Sequence, residues 1–157
     1  MNNIKTISTN IFDTKLQTII VPVNLQGVMG KGLALQVKQL YPQVYNKYKE
    51  VCYNKNIDIG KPYLCKINDL QYWFLLFPTK IFWRNPSKIE YIESGLNYLV
   101  SNYNEWGINS IATPLLGCGC GGLNEKSVMP LMKYYLQKIH IPVEIYTKFN
   151  INHKEIK

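Results

Sequence analysis

Two glycine-rich stretches and one lysine hold the residues of this chain best suited to chemistry. The first stretch is Asn24-Leu25-Gln26-Gly27-Val28-Met29-Gly30-Lys31-Gly32, with three glycines between positions 27 and 32. The second is Leu116-Gly117-Cys118-Gly119-Cys120-Gly121-Gly122-Leu123, with four glycines between positions 117 and 122. Each glycine costs local stability, roughly 0.5–1 kcal/mol relative to alanine, so such stretches need a reason. A backbone that approaches a ligand closely is one reason. A tight strand-to-helix connection with no ligand is the other. Successive N–H groups in a loop shorn of side chains form an anion-binding concavity, and a helix N-terminus adds a positive dipole end suited to phosphate. Lys80 follows the aromatic run Tyr72–Phe77 through Pro78 and Thr79. Near apolar walls its charged form is disfavoured by desolvation. Neutral, it can attack a sugar opened to its aldehyde and form a Schiff base; charged, it can stabilise a departing anion. The plainer alternative is a surface lysine flanking a strand.

Other candidates are weaker. Cys118 and Cys120 sit among N–H donors, an environment that lowers a thiol pKa, although small residues between glycines explain them more simply. The remaining cysteines are Cys52 and Cys65; none forms a Cys-x-x-Cys pair, and His140 and His153 are the sole histidines, so no metal site is expected. Reduced thiols are the default. Phe82 and Trp83 could stack on a base or serve as rim aromatics. Glu125 opens a helix and reads as a dipole partner.

Elements must position these groups. Thr18–Val23 is β-branched and apolar, as in a strand buried on both faces. Pro22 cannot donate to a ladder, so the strand is expected to bend or lose a partner there. Residues 4–12 read as an edge strand with a turn near Thr9-Asn10. Leu33–Leu40 reads as a helix, stopped before Pro42, and a second helix runs from about Pro42 to Tyr53. Tyr63–Ile67 and Tyr72–Phe77 read as strands. Ser87-x-x-Glu90 resembles a capping box ahead of a helix from about Lys88 to Tyr103. Ser110–Leu115 is a short buried strand; Asn124 to Gln137 is helical, with Pro130 predicting a kink or a late start. Val143–Tyr146 is a final strand. The pattern is an α/β domain with a mixed sheet covered on both faces.

The chain has 157 residues, 46% hydrophobic and 18% charged, which suits one globular domain rather than two. No apolar run reaches the roughly 18 residues of a membrane span, and the N-terminus lacks the apolar core of a signal peptide, so a cytoplasmic, non-membrane protein is expected. The net charge is +8, from seventeen lysines and Arg84 against ten acids. That balance favours anionic partners such as nucleic acid or a phosphorylated nucleotide, and equally describes a solvated lysine-rich surface.

Taken together, Val23-Asn24, Gly27-Val28-Met29-Gly30-Lys31-Gly32-Leu33-Ala34-Leu35-Gln36, Phe77-Pro78-Thr79-Lys80 with Trp83-Arg84, and Pro114-Leu115 through Leu123 resemble the macrodomain family. More narrowly they are similar to the macrodomain of DNA ADP-ribosyl glycohydrolase antitoxins, related to the enzyme that removes terminal ADP-ribose from proteins. The resemblance covers most of residues 4–147. It implies a macrodomain-like three-layer α/β/α sandwich with a central mixed sheet over residues 1–148, followed by a polar tail at 149–157. It implies ADP-ribose as ligand. Gly27, Val28, Met29, Gly30, Lys31 and Gly32 would embrace the distal ribose and pyrophosphate, with Asn24 on the ribose. Leu116, Gly117, Cys118, Gly119, Cys120, Gly121, Gly122 and Leu123 would cover the diphosphate. Thr9, Asn10 and Ile11 would lie beside adenine, and Thr79 would also contact ADP-ribose. The family's catalytic lysine falls on Lys80, and Trp83 and Arg84 would meet nucleic acid. The related protein-directed enzyme pairs its lysine with an aspartate in the second loop; Gly121 stands there instead, and no acid occurs from Trp106 to Asn124. The implied activity is removal of ADP-ribose from a nucleobase in DNA, without a cofactor, by a monomer whose other partner is a cognate ADP-ribosyltransferase toxin. Alternatives within the family are an ADP-ribose 1″-phosphate phosphatase, an O-acetyl-ADP-ribose deacylase and a non-catalytic ADP-ribose reader.

Overall fold

The computed structural model describes residues 2–147; the polar tail at 149–157 and His153 lie outside them. Strand β1 (Ile4–Ile7) leads through a 3-10 turn (Ile11–Asp13) to β2 (Thr18–Val23). Helices α1 (Gly32–Leu40) and α2 (Pro42–Tyr53) follow, then β3 (Tyr63–Cys65) and β4 (Trp73–Pro78). The second half alternates: α3 (Ile89–Trp106), β5 (Ile111–Pro114), α4 (Glu125–Leu136) and β6 (Val143–Tyr146). The strands form one sheet in the order β1-β6-β5-β2-β4-β3, parallel except for the antiparallel pair β3–β4.

The apolar run of β2 explains its place at the centre. Side chains alternate faces along a strand. Ile20, with Leu75 and Phe77 of β4, enters the core under α3 and α4. Ile19, Val21 and Val23, with Phe74 and Leu76, enter the core under α1 and α2. Both faces are therefore covered, which makes three layers. Contact with α3 is close: a Cβ on Gly95 would lie 2.3 Å from the Phe77 ring.

The register around β2 positions the site. On the β4 side, pairing runs unbroken from Thr18↔Trp73 to Val23↔Pro78. On the β5 side it ends after Ile19↔Ala112, although β5 continues beside β6 to Pro114↔Tyr146. The partner lost by β2 is thus β5. Pro22 and Pro114 stand in the parted stretches, and neither has an N–H with which to continue a ladder. Beyond this point the chain leaving β2 turns to the α1/α2 face, and the chain leaving β5 turns to the α3/α4 face. Neighbouring parallel strands whose connections leave on opposite faces open a crevice at their carboxyl ends.

Two local expectations are corrected. Ser87 does not cap α3: the N-cap is Lys88, with no side-chain cap bond, and the Ser87 hydroxyl donates to the Thr79 carbonyl instead. A local capping bond has given way to a longer-range one. Pro130 does not delay α4, which begins at Glu125 with the Asn124 side chain accepting from Lys126 N at 2.8 Å. The side-chain cap starts the helix at Glu125, ahead of Pro130, so of the two outcomes expected, a kink or a late start, the late start is excluded.

Candidate functional site

The segments at the carboxyl edge of the parallel strands that hold the candidate residues are the turn after β1, the loop after β2, the loop after β4 and the loop after β5. The first glycine loop is braced by Asn24. Its amide nitrogen donates to Val28 O at 2.8 Å, and its Oδ1 accepts from Gln26 N at 2.9 Å and Val28 N at 3.3 Å. Tyr48 of α2 donates its buried hydroxyl to Asn24 O and Oδ1, each at 2.8 Å. Burial pushes the Tyr48 hydroxyl well up, so it remains a donor. Gly27 holds a φ of +77°, which L side chains rarely adopt. Val28, Gly30 and Lys31 are exposed, whereas Met29 is 1% exposed and packs into the core under α1 and α2. Any contact from Met29 to a ligand must therefore be through its backbone. Lys31 is the N-cap of α1 without a side-chain bond, and Gly32 opens the helix.

Tyr48→Phe is expected to leave the Asn24 carbonyl short of its donor inside the protein. Stranding a buried polar group costs about 1–3 kcal/mol. Thermal melting should fall accordingly, because the loop loses its brace. A melting temperature equal to the parent's would show that Tyr48 acts only by packing.

The loop after β4 is stitched to both glycine loops. Thr79 N donates to Val23 O at 2.8 Å, and Leu25 N donates to Ile81 O at 3.2 Å. Trp83 N donates to the Gln26 side-chain oxygen at 2.9 Å. Ser87 N donates to Gly121 O at 2.9 Å, while its hydroxyl holds Thr79 O. Lys80 is half-buried, and its Nζ donates to the Trp83 carbonyl at 3.2 Å. The expected apolar enclosure is absent; the amine faces a carbonyl of an open loop. Phe82 and Trp83 are 52% and 43% exposed. The Arg84 guanidinium stacks 4.8 Å from the Trp83 ring centroid, a cation–π pair.

The second glycine loop folds on itself through Leu123 N→Gly117 O at 2.9 Å and Gly122 N→Gly119 O at 3.2 Å. Leu116 is buried in the α3/α4 core, and Leu123 packs against it. Gly121 cannot carry a side chain: a Cβ there would lie 2.5 Å from Gly117 O and 2.9 Å from Ser87 Cβ. The absence of an aspartate at this position thus follows from the close approach of the two loops. Gly119 is the opposite case, exposed and with nothing within 4 Å of its Cβ position. The N–H setting does not activate Cys118. Burial raises its thiol to about 11, and Sγ lies 3.7 Å from Leu116 O. Cys120 is exposed.

At the turn after β1, Asn10 caps Ile11–Asp13 by accepting from Phe12 N at 3.0 Å. Thr9 is exposed and Ile11 buried. Tyr72 holds this turn from below, donating to Phe12 O at 3.0 Å and Thr14 O at 2.9 Å, and the turn packs against β5.

The structure therefore brings Thr9 to Ile11, Asn24 to Gly32, Thr79 to Arg84 and Leu116 to Leu123 to one edge of the sheet. Sequence reasoning missed Gln26, Tyr48 and Ser87. Gln26 was visible as a large polar side chain in a loop that otherwise sheds them. Ser87 was visible but carried a local motif.

A three-layer α/β/α module with glycine loops at a parted pair of parallel strands belongs to the α/β folds that open a crevice at the carboxyl ends of their strands. The family model described as Macro domain matches residues 20–132, and the chain belongs to the macrodomain family. It is 47% identical over 161 residues to the DNA ADP-ribosyl transferase-DNA ADP-ribosyl glycohydrolase fusion protein of Thermosipho africanus (strain H17ap60334), covering 92% of this chain and 42% of the relative. Among solved structures, Thermosipho africanus DarTG in complex with ADP-ribose superposes with a TM-score of 0.90 at 46% identity, over 93% of this chain and 42% of that one. The macrodomain of Mycobacterium tuberculosis DarG gives 0.88 at 34% identity, over 92% and 97%. The chain spans less than half the length of the curated relatives it matches. No helix among the described residues is long and apolar enough to cross a membrane.

Proposed function

We propose that this macrodomain is an ADP-ribosyl glycohydrolase that releases ADP-ribose from a nucleobase in DNA, with Lys80 as the catalytic residue. One observation carries the reading: the Lys80 loop is tethered to the first glycine loop through Gln26–Trp83 and to the second through Ser87–Gly121. In this reading the Lys80 amine, held on a loop tied to both glycine loops, acts at the sugar end of a bound ADP-ribose. Relatives named DNA ADP-ribosyl glycohydrolase support the choice of reaction, and a neighbour described with ADP-ribose supports the ligand.

In this reading residues 27–32 embrace the distal ribose and pyrophosphate, residues 116–123 cover the diphosphate, Asn24 meets the ribose and Thr9–Ile11 border adenine. The glycosidic C–N bond breaks, the base leaves with the electron pair, and water supplies hydroxide to the sugar carbon and a proton to the base. Lys80, facing a carbonyl rather than apolar walls, favours electrostatic stabilisation of the leaving base over a Schiff base. Trp83 and Arg84 flank the modified strand. The reading places the protein in the cytoplasm, and the fusion relative's name, which joins a DNA ADP-ribosyl transferase to the glycohydrolase, supports an ADP-ribosyltransferase as partner.

Incubation with ADP-ribosylated DNA, in parallel with ADP-ribosylated protein, tests the assignment. Free ADP-ribose should appear from the DNA and not from the protein. Release from protein alone would reassign the acceptor, and binding without release from either would make the chain a reader.

A further inference from the structure

We propose that Lys38, Tyr45 and Lys49 form a docking surface for the phosphodiester backbone of the strand that carries the modified base; this rests on the reading of the substrate as ADP-ribosylated DNA. Lys49 lies on α2 directly beside the first glycine loop. A Cβ on Gly27 would sit 3.7 Å from Lys49 Cγ and 3.8 Å from its Cα. One helical turn back, Tyr45 gathers two ammonium groups: Lys49 Nζ is 4.5 Å from the ring centroid and Lys38 Nζ, from the last turn of α1, is 4.6 Å away. Neither has a carboxylate within 4.0 Å among the described residues. The one ion pair there joins Lys47 to Glu50 at 2.9 Å, so the nearby Glu50 carboxylate is already engaged.

Two like charges over one ring repel each other, and the ring quadrupole only partly offsets this. An anion bridging them relieves the repulsion. The surface also has a direction. Arg84 and Lys80 flank the first loop through the Trp83–Gln26 bond; Lys49 flanks it through Gly27. A strand whose modified base is held at the glycine loops must continue past one side or both, and on the α1/α2 side it meets two uncompensated cations. Phosphates spaced along a flexible backbone suit ammonium groups carried on separate helices. Tyr45, half-buried beneath both stems, limits their wandering.

The test measures binding of an unmodified, labelled single-stranded oligodeoxynucleotide to the full chain across a salt series. Lys38→Gln/Lys49→Gln is compared with the parent and with Lys133→Gln/Lys138→Gln, one lysine on α4 and one just past its C-terminal end, across the sheet. Each phosphate contact on a single strand contributes about 0.7 to the slope of log affinity against log salt. The first double variant should lose about 1.4 from that slope, with unchanged ADP-ribose affinity and melting temperature. The Lys133/Lys138 variant should keep the parent's slope. A parent that fails to bind at low salt, a first variant that keeps its slope, or equal losses in both variants would each overturn the docking surface; a surface that takes an acidic protein instead would leave the slope intact. Release of ADP-ribose from a modified oligonucleotide by the parent is scored separately. No release with the slope change present would remove the catalytic reading and leave the surface standing.

Discussion

Lys80→Ala is expected to lose hydrolysis of ADP-ribosylated DNA by at least the factor of about 10²–10⁴ that a positioned acid–base or charged group contributes. Affinity for free ADP-ribose should change little, because the proposed loops bind through backbone N–H groups and Lys80 interacts chiefly with charge that develops on the leaving base. In kinetic terms the loss falls on kcat and on kcat/KM alike. The variant should fold normally: Lys80 is half-buried, and its single polar contact among the described residues is with the Trp83 carbonyl on an exposed loop. Reduction with borohydride during turnover of the parent should leave no adduct on Lys80. A trapped adduct would assign the Schiff-base route in place of the electrostatic one. If Lys80→Ala turns over at near the parent rate, the lysine assignment is wrong, and water activated by the ligand's own phosphates becomes the leading mechanism.

The framework behind that prediction was legible because it rests on local signals. Thr18–Val23 and the aromatic run ending at Pro78 are apolar enough to be buried on both faces, and they are adjacent over their full length. Pro42 starts α2 and Gly107, with a φ of +80°, ends α3, as their residue types predict. The parting of β2 from β5 was partly legible through Pro22, but which neighbour would be lost was not, since strand order is a tertiary property. What stayed hidden in the site shares one cause. Gln26 holds a residue 57 positions away, Tyr48 reaches back 24, and Ser87 binds Thr79 and Gly121 instead of its own helix. A hydroxyl or carboxamide carries no local mark of a distant carbonyl. Lys80 illustrates the same limit: its strand predicted apolar surroundings, yet the loop beyond Pro78 turns it toward the Trp83 carbonyl. The resemblance to macrodomains identified the residue types of the loops, but only the packing of Gly121 against Gly117 and Ser87 explains why no acid can stand there.

Gly119→Glu should abolish ADP-ribose binding while leaving the fold intact, a separation that few glycine substitutions allow. Gly117 and Gly122 hold φ values of +77° and +78°, so a side chain strains either, and Gly121 has no room for a Cβ. Substitution at those positions confuses lost binding with a broken loop. Gly119 has neither problem: its φ is not among the positive ones, and nothing lies within 4 Å of its Cβ position. A glutamate there projects from the loop proposed to cover the diphosphate. It adds negative charge against two phosphates and bulk where the backbone must approach closely. Like charges at about 4 Å repel by about 4 kcal/mol at an effective dielectric of 20, which corresponds to roughly a thousandfold loss of affinity before any steric cost. Calorimetry should register no binding at concentrations that saturate the parent, with the melting temperature within a degree or two of the parent's, since surface changes of this kind cost about 0.5 kcal/mol or less. Gly119→Ala, neutral and small, should bind nearly as the parent does. A Gly119→Glu variant that binds ADP-ribose with parental affinity would remove the second loop from the diphosphate site. A variant that loses both binding and its folded melting transition would show instead that the open space around Gly119 is needed by the loop itself.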